Sequence, residues 1–236
     1  ADGYSPDRNS WGVITAAKNF VDQAEAMDLS GSTQVQAARN RLLNAEASDY
    51  WYWDNSIDGI WDTHPTTAAN EAIELAQTVI QPDAAESQAP TIFKPQREPY
   101  NPGGSEWTIA QTNEFDVWTY VFDVSGLERV QLKYRTVPEN DFPSAKTTAF
   151  SQISPSDTSW RSLDMTGIYI SPKTNEDPTY KADEYSATIS DTGNEFVEYY
   201  VEAEDTYGNI SRSLIQYVWV GENTSTGSGG TGGTTC

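Results

Sequence analysis

The stretch "FVEYYVEAEDTYGN", residues 196–209, decides how the larger part of this chain folds. Its residues alternate with a period of two, so an extended strand would carry Val197, Tyr199, Val201 and Ala203 on one face. Glu198, Tyr200, Glu202 and Glu204 would share the other. The pattern predicts the first set against a core and the second in solvent. Asp205 to Asn209 has the composition of a turn into a final strand.

The same period extends outward in both directions. "VWTYVFDVSG" (117–126), "RVQLKYRTV" (129–137), "WRSLDMTG" (160–167), "EYSATIS" (184–190) and "SLIQYVWVG" (213–221) are strand-like and separated by Gly, Pro, Asn and Asp clusters. With "IFKP" (92–95) and "EWTIAQ" (106–111) counted as strands too, residues 91–221 match an immunoglobulin/fibronectin III-like sandwich. Upstream the text changes. "QPDAAESQAPTIFKPQREPYNPGG" holds five prolines, so residues 82–102 form a Pro-rich connection with a first strand near Thr91 to Pro95.

Residues 1–81 have the three/four spacing of helices. Thr33 and Gln36 make a capping box, after which Val35, Ala38, Leu42 and Ala45 fall on one face. Trp11, Ile14, Val21 and Ala24 form a similar stripe from Trp11 to Met27, and a third helix from Thr66 to Gln81 is stopped by Pro82. Ala-rich seams in three short helices bury only a modest core, so this segment must lean on something else. The expected fold class is multidomain α and β: a short N-terminal helical segment, then an all-β sandwich.

Charge narrows the partner. With 35 acidic against 14 basic side chains the formal net charge is -21, which repels nucleic acid and anionic membrane surfaces and favours a neutral ligand. No apolar run has the roughly 20 residues of a membrane span, so no membrane insertion is expected. The lone cysteine, Cys236, has no partner within the chain. Residues 222–236 are a Gly/Thr/Ser linker, expected to lead to a further module, as is common in secreted, periplasmic or cell-surface bacterial proteins.

Standard catalytic patterns are missing, and no catalytic residue is assigned. The single histidine, His64, precedes a proline in an expected loop, and no phosphate-binding glycine loop occurs. Carboxylate pairs such as Asp183/Glu184 and Glu202/Glu204 have solvated surface as their ordinary explanation. No cofactor is expected. "DNSIDG" (54–59) begins like a calcium loop, but its twelfth position is Pro65, leaving Asp54, Asp58 and Asp62 as a looser calcium possibility.

Aromatic residues supply the strongest signal. Tyr50, Trp51, Tyr52 and Trp53 are consecutive, and Trp61 follows. If the second helix ran on to Trp53, these side chains would fan out by about 100° each, so Tyr52 would serve the seam while Trp51 and Trp53 point elsewhere. Either they pack under a neighbouring domain, or they stack on sugar while carboxylates bind hydroxyls. Candidate carbohydrate contacts are Asp49, Tyr50, Trp51, Trp53 and Trp61, joined by Tyr100 and Trp160 as the loop aromatics of the β-region. Of the β-region aromatics, which also include Trp107, Trp118, Tyr120, Tyr169 and Trp219, one or two are core anchors, and those in loops are the better candidates for ligand contact.

"LLNAEASDYWYWDN", residues 42–55, resembles an Ala-Glu-x-Ser-Asp-aromatic-aromatic-Trp stretch found late in glycoside hydrolase family 57, in its amylopullulanase-like branch. Glu46, Ser48, Asp49 and Tyr50 to Trp53 are the matching positions. The resemblance implies a helix beside the cleft that follows an incomplete barrel, an α-glucan partner such as starch or pullulan, and catalytic carboxylates on an upstream barrel of the same polypeptide. "QAPTIFKPQREPYNPGG" and "EYYVEAEDTYGNISRS" are similar to the sandwich appended to bacterial α-glucan enzymes. The chain would then be a non-catalytic C-terminal portion of such a hydrolase. The alternatives are a stand-alone carbohydrate-binding or adhesive module, and a structural spacer.

Overall fold

The computed structural model describes residues 5–28, 31–47, 60–81, 86–138, 157–171 and 176–222. In chain order, α1 (Ser5–Met27), α2 (Thr33–Ala45) and α3 (Ile60–Gln77) precede the strands. These are β1 (Thr91–Ile92), β2 (Gln96–Glu98), β3 (Ser105–Glu106), β4 (Ile109–Ala110), β5 (Phe115–Phe122), β6 (Leu127–Val137), β7 (Arg161–Asp164), β8 (Thr166–Ile168), β9 (Asp183–Ile189), β10 (Glu195–Asp205), β11 (Ile210–Arg212) and β12 (Gln216–Val220). One antiparallel sheet runs β1-β5-β9-β8 with β2 also on β5; the other runs β11-β10-β6-β7 with β12 also on β10.

Period-two patterning builds the space between the sheets. Val197, Tyr199, Val201 and Ala203 of β10 are fully buried, together with Val117 and Val121 of β5 and Leu132 of β6. The opposite face of β10 departs from expectation. Glu198, Tyr200 and Glu202 are buried as well, and Glu204 is half-buried. Cross-strand register is the reason: Arg135 lies opposite Glu198, Lys133 opposite Tyr200, Arg212 opposite Glu202 and Arg129 opposite Glu204. Arg135 Nε donates to Glu198 Oε2 at 2.7 Å and Arg212 Nε to Glu202 Oε2 at 2.7 Å. Long basic side chains laid over the strand exclude water while supplying the counter-charges that buried carboxylates require.

The helices end where local hydrogen bonds say. Ser32 caps α2, its Oγ accepting from Val35 N at 3.3 Å, and Gln36 Nε2 donates to the Gly31 carbonyl at 2.7 Å. The cap thus sits one residue before the expected Thr33. Val35, Ala38, Leu42 and Ala45 are buried as predicted, but the helix stops at Ala45 rather than running to Trp53. There Ala47 N turns back to Asn44 O at 3.2 Å, the tightening that closes a last turn. α1 begins at Ser5 instead of Trp11. α3 covers 60–77 rather than 66–81, with Pro65 inside it at the loss of one backbone bond. His64 therefore lies on a helix, and it is exposed.

What the helical segment leans on is the sandwich. α1 is buried nearly all round, with Val13, Ala16, Ala17, Val21 and Ala24 inaccessible. One side meets α2 and α3. The other crosses the outer face of the β5 sheet, where Trp11 stacks on Phe93 at 5.0 Å and on Trp118 at 5.9 Å, and Phe20 on Phe122 at 5.9 Å. Such pairs contribute about 0.5–1.5 kcal/mol each beyond the area they bury. Gly12 permits the close crossing: a Cβ there would stand 3.1 Å from the Ala182 carbonyl, and Ala182 N donates to Gly12 O at 2.9 Å. The layers are α2 with α3, then α1, then the two sheets.

Candidate functional site

Of the motif of residues 42–55, the structure describes Leu42 to Ala47. Ser48, Asp49, Tyr50, Trp51, Tyr52, Trp53, Asp54 and Asp58 lie outside the described residues, as do the side chains of Trp61 and Asp62. Glu46 caps α2 close to the ion-pair group in which Arg39 reaches Glu25 at 2.6 Å and Asp22 at 2.8 Å. Burial raises the Glu46 carboxyl above its ordinary value, against the opposing charges of Arg39 and Lys18.

Tyr100 is described, and it belongs to a braced loop at one end of the sandwich. It is 65% exposed, with the Arg97 guanidinium 4.2 Å from its ring centroid. Arg97 Nε donates to the Tyr100 carbonyl at 2.8 Å while Nη1 donates to the core hydroxyl of Tyr199 at 3.2 Å, so the loop is tied to the interior. Gly103 takes φ +73 and passes so near Gly221 that a Cβ would meet its nitrogen at 2.6 Å. Gly103 N donates to Thr112 O at 2.7 Å, and Gly221 N to Pro102 O at 3.0 Å.

This loop projects Trp107, a residue not among the candidate sugar contacts. "EWTIAQ" is not one strand but a hairpin, Glu106 pairing with Ile109 across a two-residue turn of Trp107 and Thr108. Both turn residues have positive φ, 48° and 72°, as in the mirror-image turn that Asn-Gly usually fills. A non-glycine residue there costs about 1–3 kcal/mol. Trp107 is 94% exposed and Ile109 66%. Glu106 Oε1 accepts from Asn101 N at 2.8 Å, which draws the residue after Tyr100 against the residue before Trp107.

Trp160 does not join them. It lies half-buried on the outer face of the second sheet, boxed between the Arg135 guanidinium at 4.7 Å and the Tyr200 ring at 5.0 Å. Among the described residues, its buried indole N–H and the buried Glu198 Oε1 have no hydrogen-bond partners. The carboxylate pairs expected in solvent are partly buried too: Glu184 accepts from Tyr120 Oη at 3.1 Å, and Glu202 belongs to the ladder of β10.

At the other end of β10, Glu86, Asp123 and Asp205 bring carboxylate oxygens within 4.8 Å of one another. N–H and O–H donors already engage both aspartates. Asp205 accepts from Tyr207 N and Asn209 N at 2.8 Å and from Asn209 Nδ2 at 2.7 Å; Asp123 accepts from Ser125 N at 2.8 Å and Asn19 Nδ2 at 3.2 Å. Burial, followed by the charge of Asp123, pushes the Glu86 carboxyl up to about 7. Burial also raises Asp123. For Asp205 burial acts upward, but the donors of Asn209 and Tyr207 outweigh it and hold the group below its ordinary value.

No family model matches the chain. It is 26% identical over 226 residues to an α-amylase of Niallia circulans, a match covering 81% of this chain and 17% of that protein. The chain spans about a sixth of that relative's length. Among solved structures, a cycloalternan-degrading enzyme of Trueperella pyogenes aligns with 60% of this chain and 16% of its own at TM-score 0.34 and 11% identity. An engineered protein aligns with 64% of this chain and 27% of its own at TM-score 0.28 and 13% identity. Likenesses this low bear on neither fold type nor function.

Proposed function

We propose that this chain is a non-catalytic portion of a secreted bacterial α-glucan-active hydrolase, contributing carbohydrate binding and a rigid docking unit to a catalytic barrel elsewhere in the polypeptide. The observation that carries the reading is the α-amylase match together with its extent. A match over 81% of the chain necessarily crosses from helices into sandwich. The two parts are thus related to that protein as one piece, and in the fold α1 locks them together through Trp11, Phe93 and Trp118.

Within this proposal the family 57 likeness and the immunoglobulin-like type of the sandwich are its finer terms. So are contacts to starch or pullulan by Asp49, Tyr50, Trp51, Trp53 and Trp61, and calcium at Asp54, Asp58 and Asp62. Net charge -21 supports a neutral polysaccharide over an anionic one. No described helix is long and apolar enough to cross a membrane.

The test is sedimentation with insoluble starch and mobility in gels holding glycogen or pullulan, with a β-glucan control. Retention by α-glucan, weakened in Trp51→Ala/Trp53→Ala, is the expected result. A wild-type chain that ignores every α-glucan sinks the binding claim, and a stand-alone adhesive module then becomes the better reading.

A further inference from the structure

Trp107 has no evident task in holding the fold. It is 94% exposed, and among the described residues no ring or cation stacks on it. Its position is nonetheless one where the backbone disfavours it. Both residues of the turn sit at positive φ, and Asn-Gly would relax them, whereas Trp-Thr does not. Strain kept at an exposed, braced position points from geometry to use.

We infer that Trp107, on the loop that also exposes Tyr100, is a stacking platform for a neutral polysaccharide chain at the open end of the sandwich. The choice of α-glucan rests on the function proposed above, whereas the site rests on its own geometry. Flat apolar sugar faces lie on indole and phenol rings, while hydroxyls need acceptors and donors near by. Glu106, the residue before Trp107, is half-buried with Oε1 accepting from Asn101 N, and the Gln111 amide folds over the hairpin to Ile109 O at 3.1 Å. The platform is rigid before any ligand arrives. Arg97 clamps Tyr100 to Tyr199, and the Gly103 crossing pins the loop to Gly221, so little ordering remains to be done on binding.

The other occupants fit less well. A polyanion is repelled by net charge -21. A protein partner needs about 20–30 residues a side for a stable interface, and the apolar groups projected here are Tyr100, Trp107 and Ile109.

Native-gel mobility in glycogen and pullulan, run on the whole chain, tests the site. Trp107→Ala is expected to bind at least about tenfold more weakly than wild type. Trp107→Phe should keep most of the retardation because it keeps a ring. The double change Trp107→Asn/Thr108→Gly should melt about 2–4 °C higher while losing the retardation, which separates the ring's role from any role in folding. If wild type and Trp107→Ala are retarded equally, this site is wrong and the proposed function stands. If wild type is not retarded at all, both fail. Should light scattering show self-association that Trp107→Ala abolishes and glycogen leaves untouched, the occupant is a second copy and the sugar site is overturned.

Discussion

The two ends of β10 lie roughly 30 Å apart by strand rise and follow opposite rules. At the Asp205 end every aspartate oxygen meets a donor, and the side chains of Asp123 and Asp205 are buried. At the Glu195 end the loop of residues 99–112 holds Tyr100, Trp107 and Ile109 out in water. Coverage explains the difference. Asn19 of α1 and the segment at Glu86 close over the Asp205 end, and a covered polar group must be paired. No described element covers the hairpin tip, so apolar rings there are left to whatever binds them.

Asp205→Ala should break the contrast most strongly. It removes a buried carboxylate that accepts from Tyr207 N, Asn209 N and Asn209 Nδ2 and so closes an otherwise exposed turn, and a loss of about 2–4 kcal/mol is expected in urea unfolding. Asn19→Ala should cost less, about 1–2 kcal/mol, because it removes the bonds to Asp123 and Val124 but leaves the turn intact. A change below about 0.5 kcal/mol for Asp205→Ala would mean that this end is not closed by its carboxylate.

Acidity separates the ends next. The Glu86 carboxyl, pushed up to about 7 from 4.5, holds its proton in the fold at pH values where the unfolded carboxyl has already lost it. Its stabilising effect is complete below the ordinary glutamate value and disappears as pH rises through about 7. Asp123 and Glu46, also raised, act with the same sign. Asp205 acts oppositely, but only as pH falls below the ordinary aspartate value. Melting temperature should therefore decline between about pH 5 and 8, and Glu86→Gln should flatten that decline in part. A wild-type melting temperature that climbs across this window would show that Glu86 has no raised affinity for its proton.

The contrast also measures what the sequence made legible. The seam of α2 and the inward face of β10 could be read because each depends on spacing within one element. Burial of Glu198 could not, since it depends on Arg135, which register places opposite it from another strand. The helices' footing was legible only as a need, because Trp11 finds Phe93 and Trp118 across the whole connection. The hairpin at Trp107 is hidden by its own chemistry: a two-residue turn without Asn or Gly has the pattern of a continuous strand. Of the candidate sugar contacts, Tyr100 is exposed on its loop, while Trp160 is boxed between Arg135 and Tyr200.

The smallest expected effect is the most discriminating. Trp107→Ala removes a side chain that is 94% exposed, and alanine at φ +48° is strained as tryptophan is, so neither packing nor backbone strain changes. Unfolding free energy should stay within about 0.5 kcal/mol of wild type. Trp107→Gly tolerates positive φ and should be more stable by up to about 1 kcal/mol, read from the same urea curves. A loss of more than about 1 kcal/mol in Trp107→Ala would mean that the ring packs against the molecule itself. The open end would then obey the same rule of burial as the closed one, and the reason for assigning the ring to a ligand would be gone.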